Sequence, residues 1–116
     1  MKTILIAEDN DSDFILMNYI LKRSYRILRA HDGKEAVETV EKGGVDLILM
    51  DLKMPVLDGL EATRIIKESF PALPVIMLTA NAFESDRQAA FSVGCDDFLS
   101  KPVNSAVCLE TIAKYI

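Results

Sequence analysis

Residues 46–59 read DLILMDLKMPVLDG. After Asp46 the apolar residues Leu47, Ile48, Leu49 and Met50 follow without a polar break, and the run ends at Asp51. A strand with one wet face alternates apolar and polar side chains. An unbroken apolar run marks a strand buried on both faces, as in a parallel sheet covered by helices. Residues 73–78, LPVIML, repeat the pattern.

Working outward, the chain alternates. The runs TILIA (3–7), YRILRA (25–30) and DDFLS (96–100) read as further strands, with 46–50 and 73–78 between them. Helical spacing appears in 13–23, with apolar residues at 14, 15, 17, 20 and 21, and in 33–42, stopped by Gly43-Gly44. It appears again in 59–69, where Leu60, Thr63, Ile65 and Ile66 fall near one face, and in 84–94, which ends on Gly94. A last helix is expected over 105–116, after Asn104 as its cap. Five strands alternating with five helices imply right-handed crossovers, hence an α/β sheet covered on both faces. One domain over 1–116 is the expectation, without internal repeat or linker.

Bulk properties narrow the function classes. The chain of 116 residues is half hydrophobic and carries a formal net charge of -5. It can bury a core without disulfides or a structural metal. The acidic balance argues against nucleic acid as a direct partner, and RSYR at 23–26 is too small a basic patch to reverse that. Cys95 and Cys108 lack any paired ligand spacing and read as reduced, buried thiols, consistent with a cytoplasmic location. The opening MKTILIA is too short for a signal peptide and runs straight into acid. No apolar run reaches the roughly 18 residues of a membrane helix, so no membrane insertion is expected.

In such a sheet, ligands bind at the carboxyl ends of the strands, where the strand order reverses. Those ends carry Glu8 and Asp9, His31 and Asp32, Asp51, Thr79 and Ala80, and Lys101 and Pro102. The first end is crowded: AEDNDSD (7–13) places Glu8, Asp9, Asp11 and Asp13 within six positions. A hard divalent cation would neutralise converging carboxylates, and Mg²⁺ takes oxygen ligands while keeping several waters. Glu8 and Asp9 are therefore expected to help hold a metal. Asp11 or Ser12 is expected to cap the next helix, with Asp13 suited to its positive N-terminus. An EF-hand loop is excluded, because counting from Asp9 its sixth and twelfth positions fall on Phe14 and Ile20.

Asp51, at the tip of a central strand and facing Asp9, would be costly without a partner. Beside a metal and Lys101 it becomes a candidate nucleophile for phosphoryl transfer, which needs positioning and charge neutralisation above all. Mg²⁺, Lys101, and the Thr79 hydroxyl with the Ala80 N–H would each hold one phosphoryl oxygen.

Glu8-Asp9, DLKMPVLDG around Asp51, LTA at 78–80 and KP at 101–102 fall in an order and at intervals that resemble the receiver domain of two-component response regulators. MPVLDGLEATRIIK, LTANA and GCDDFLSKPV look most like receivers of hybrid histidine kinases. The resemblance covers essentially the whole chain. It implies a doubly wound, flavodoxin-like sheet of five parallel strands in order 2-1-3-4-5. It implies a phosphoacceptor signalling switch of a phosphorelay, regulatory rather than enzymatic, in which Asp51 receives a phosphoryl group from a phosphohistidine. Partners would be a histidine kinase or histidine phosphotransfer protein and a downstream protein or effector domain outside this chain, with homodimerisation on activation an option. Mg²⁺ would be held by Asp9, Asp51 and the backbone carbonyl of Lys53, with Glu8 acting mostly through water. Thr79 and Lys101 would bond the phosphoryl group, and the peptide before Pro102 would be cis. Thr79 and Phe98 would form the switch, and Lys53 and Asn81 would tune the lifetime of the phosphoryl group. The family's partners often dock on the fourth helix, fifth strand and fifth helix. The last helix looks short for the family, so a trimmed C-terminus is expected.

Two other function classes fit less well. A phosphohydrolase of the haloacid dehalogenase type needs a second Asp two residues past its nucleophile, where this chain has Lys53. A flavodoxin-like cofactor binder wants a Gly/Ser/Thr loop after the first strand to cradle phosphate, and this loop is acidic. Without the resemblance, Phe98 reads as core, Thr79 as a β-branched strand end and His31 as a solvated loop residue. Met17, Met50, Met54 and Met77 read as core or near-core filler. Pro55 and Gly59 shape the loop after Asp51.

Overall fold

The computed structural model describes residues 1–80 and 84–116. Its elements are β1 (Thr3–Ala7), α1 (Asp11–Leu21), β2 (Arg26–Ala30), α2 (Gly33–Glu41), β3 (Leu47–Asp51), α3 (Gly59–Ser69), β4 (Val75–Thr79), α4 (Glu84–Ser92), β5 (Asp97–Ser100) and α5 (Ser105–Ala113). The five strands form one sheet in the order β2-β1-β3-β4-β5, with every pairing parallel. The expected fold and strand order are both present. The strands over 46–50 and 73–78 each sit one residue later at their ends, so that Asp51 and Thr79 are the last residues of β3 and β4.

The two faces of the sheet are filled by alternate residues of the same apolar runs. Leu5, Ala7, Ile48, Met50, Val75 and Met77 pack with Ala36 and Val40 of α2, Ala62 and Ile66 of α3, and Ala90 of α4. Ile4, Ile6, Leu47, Leu49, Ile76 and Leu78 pack on the other side with Met17 and Leu21 of α1 and Cys108 and Ile112 of α5. Both faces are therefore dry, which is why these runs carry no polar break. Cys95 and Cys108 are buried free thiols, and burial pushes both up to about 11, so they rest protonated.

Helix starts follow local chemistry. Asp32, Asp58 and Asn104 each accept a backbone N–H three residues on, from Glu35, Glu61 and Val107. α1 corrects an expectation: its cap is neither Asp11 nor Ser12 but Asn10, whose Oδ1 accepts from the Asp13 N–H at 2.9 Å. The helix thus starts earlier, and Asp11 and Asp13 lie in its first turn. α1 also turns Ile15, Leu16 and Tyr19 to solvent while Met17 and Leu21 are buried. The 3.6-residue period cannot bring 15 and 17 to one face, so Ile15 does not belong with the inward set.

The loop from β3 to α3 is tightly built. The Leu57 N–H donates to the Pro55 carbonyl at 2.7 Å, closing a γ-turn around Val56 at φ 69°. A β-branched residue there is strained. Gly59 donates to the Leu52 carbonyl, and a Cβ at Gly59 would lie 2.0 Å from the Asp51 carbonyl oxygen. The expected Lys101–Pro102 cis peptide is present.

Two substitutions test this loop by chemical denaturation. Gly59→Ala is expected to cost about 1–3 kcal/mol, because backbone must move to admit the methyl group. Val56→Gly is expected to gain about 1 kcal/mol by removing side-chain strain, less the added freedom of the unfolded chain.

Candidate functional site

The site lies where the carboxyl ends of β1 and β3 adjoin, the point at which successive crossovers leave in opposite directions. Glu8 and Asp9 follow β1, and Asp51 closes β3. Their nearest carboxylate oxygens all lie within 4.8 Å of one another. Glu8 is fully buried, Asp51 is nearly so, and Asp9 is exposed. Three oxygen donors at this spacing, one reaching solvent, fit a small divalent cation that retains waters.

Lys101 enters from the end of β5. Its Nζ lies 2.5 Å from Glu8 Oε1, 3.2 Å from Asp13 Oδ2 and 3.3 Å from Asp51 Oδ2. Burial alone would lower the affinity of this ammonium for its proton. Contacts with Glu8, Asp51 and Asp13 outweigh burial and hold it above the usual lysine range. Burial pushes the Glu8 carboxyl up to about 8; a hydrogen bond with Asp51 adds to the push, and Lys101 opposes it. One cation does not fully offset these acids.

Thr79 is buried at the tip of β4, and its carbonyl accepts the Lys101 N–H at 2.7 Å. Asp51, Leu52, Lys53, Thr79, Ala80 and Lys101 line one cavity of about 140 Å³. That volume holds several waters or a small tetrahedral anion. The Lys53 side chain is exposed. Phe98 stands outside this cavity on β5, half-buried against the core, with the Arg87 guanidinium 5.9 Å from its ring centre. Asn81 lies outside the described residues. His31 is exposed and contacts Glu35, as a loop histidine would.

The structure thus brings together Glu8, Asp9, Asp51, Thr79, Ala80, Lys53 and Lys101. Two residues in the cluster were not foreseen. Asp13, expected only to serve the helix end, also pairs with Lys101. Its signal was available, since the first turn of a helix leaving β1 stays beside the strand ends. Arg29 of β2 bonds the Glu8 carbonyl from outside the cavity. Its only signal was a charged residue sharing a strand face with Ile27.

The model of the response regulator receiver domain matches residues 4–113. The chain belongs to the receiver domain family. Hybrid signal transduction histidine kinase B of Dictyostelium discoideum is 40% identical to this receiver over 131 residues, covering 100% of the chain and 7% of the kinase. The chain likewise spans 46% of the response regulator GtcR of Aneurinibacillus migulanus. Among solved structures, the receiver of the sensor histidine kinase PA1611 from Pseudomonas aeruginosa superposes with a TM-score of 0.92 at 36% identity. That pair covers 98% of this chain and 96% of the other, and the PA1611 receiver has magnesium coordinated in its active-site cleft. The receiver of Saccharomyces cerevisiae Ssk1, solved with the histidine phosphotransfer protein Ypd1, gives 0.92 at 31% identity, covering 98% and 88%. No helix among the described residues is long and apolar enough to cross a membrane.

The raised Glu8 carboxyl fixes a pH dependence. Between about 4.5 and about 8 the folded, metal-free receiver keeps a proton that the unfolded chain has released. Stability due to this group is therefore full at low pH and declines as pH rises through that window. Thermal melts in chelator should show this decline, and Glu8→Gln, which has no such proton to lose, should flatten it. Equal slopes for the two proteins would contradict the assignment.

Proposed function

We propose that this receiver is a phosphorylation switch in which Asp51 accepts a phosphoryl group from a phosphohistidine. The observation that carries the reading is the convergence of Glu8, Asp9, Asp51 and Lys101 beside a cavity also lined by Thr79 and Ala80. Asp9, Asp51 and the Lys53 carbonyl would hold Mg²⁺, with Glu8 acting through water; the magnesium in the PA1611 receiver supports this. When bound, the metal supplies charge neutralisation at one phosphoryl oxygen. Asp51 attacks phosphorus in line and the P–N bond breaks; the imidazole, already carrying a proton on its other ring nitrogen, takes the electron pair and leaves neutral. Lys101 swings from the carboxylates to a second phosphoryl oxygen. The Thr79 hydroxyl and the Ala80 N–H take the third.

The chain's 1–116 act as one regulatory domain, working on its own aspartate rather than turning over an external substrate. Lys53, which lines the cavity, and Asn81, two positions past Thr79 in the sequence, would set how fast water reaches the acyl phosphate. Movement of Thr79 toward the phosphoryl group would draw Phe98 inward, a local charge change biasing a two-state element. A histidine kinase or phosphotransfer protein is the donor, as the Ypd1 complex of a similar receiver supports. Output passes to a protein or effector domain beyond these residues, with pairing of two copies on activation as one route. Such a relay operates in the cytoplasm.

Intact mass after incubation with acetyl phosphate tests the reading. Wild type should gain one phosphoryl group only with Mg²⁺, and Asp51→Asn none. In chelator the Asp51→Asn variant should melt no lower than wild type, because one crowded charge is gone. A gain that survives Asp51→Asn would assign the acceptor elsewhere.

A further inference from the structure

Arg29 stands on the edge strand β2, outside the cavity, yet it reaches the acidic loop at three points. Its Nε and Nη2 donate to the Glu8 carbonyl at 3.3 and 3.1 Å, and Nη2 also reaches Asp11 Oδ1 at 2.8 Å. The guanidinium lies over Phe14, 4.5 Å from the ring centre. The Glu8 N–H in turn donates to the Ala30 carbonyl at 3.0 Å. Both peptide groups flanking the Glu8 Cα are thus held by β2, one by its backbone and one by Arg29. The second of these is the Glu8–Asp9 peptide itself, so its orientation sets where both carboxylates point.

We propose that Arg29 is a positioning residue for the metal site: its fork fixes the Glu8–Asp9 peptide and presets the acid pair for Mg²⁺. The inference rests on reading Glu8, Asp9 and Asp51 as the site of that ion. Two bland roles explain the placement poorly. As a surface ion pair it would contribute little, because Asp11 is 82% exposed. As a helix stabiliser it has the wrong sign, since a cation at the N-terminus of α1 opposes the helix dipole. What the placement does accomplish is geometric. A delocalised fork, pinned by Asp11 and by stacking on Phe14, grips a carbonyl that has left the sheet ladder.

Charge and position predict opposite effects, which makes the idea testable. A nearby positive charge repels Mg²⁺, so deleting it should tighten binding by Coulomb's law alone. Loss of a group that orients metal ligands typically weakens binding about 10- to 100-fold. Mg²⁺ titration by calorimetry would be run on wild type, Arg29→Met and Arg29→Lys, with melts in chelator as the folding control. Arg29→Met keeps bulk over Phe14 without donors and should bind about 10-fold more weakly. Arg29→Lys keeps the charge, but one ammonium cannot span both oxygens and the ring, so it should also bind more weakly. It decides the matter if the Met variant fails to fold. Unchanged or tighter binding in a folded variant, whatever its melting temperature, would overturn the inference while leaving the site reading intact. Absence of Mg²⁺ binding by wild type would remove the site reading and this inference together.

Discussion

One ammonium holds three carboxylates at the top of the sheet. Lys101 touches Glu8, Asp13 and Asp51, which arrive from two different strand ends and a helix. Its side chain carries charge from the end of β5 across to the ends of β1 and β3 and forms part of the cavity wall. Even so, one ammonium faces three carboxylates, and burial, more than Asp51, keeps the Glu8 carboxyl raised. That excess of carboxylates over cations is what attracts a divalent cation to this rim.

The fold confines this chemistry to one rim. Both faces of the sheet are sealed by apolar residues packed under helices, so a charged group has nowhere to sit except past a strand end. Parallel pairing then puts the carboxyl ends of all five strands along the same edge. Gly59 brings the start of α3 against the Asp51 carbonyl, which anchors the end of β3 from behind. Arg29 holds the acidic loop from the opposite side. The cavity is thus shaped in part by residues that never face into it.

Charge legibility differed between elements. The acids at 8, 9 and 51 and the lysine at 101 were readable because each follows an apolar run, and an alternating α/β chain brings such ends together. Asn10 as the α1 cap was not, because several neighbouring polar residues could cap equally well and only the backbone entry angle chose among them. The outward turn of Ile15, Leu16 and Tyr19 was hidden for a related reason. α1 is apolar nearly all round, so composition alone does not orient it.

The sequence by itself determined the fold class, the buried character of β3 and β4 and the residue types gathered at the strand ends. Those follow from periodicity and from where polar residues interrupt apolar runs, which are local properties of the chain. Only the tertiary structure decided which oxygens Lys101 selects, that Asp13 joins them, and that Arg29 of a distant strand grips the Glu8 carbonyl. These contacts join positions 21 to 93 residues apart. Their geometry depends on the register of neighbouring strands and the tilt of α1, which no local pattern encodes.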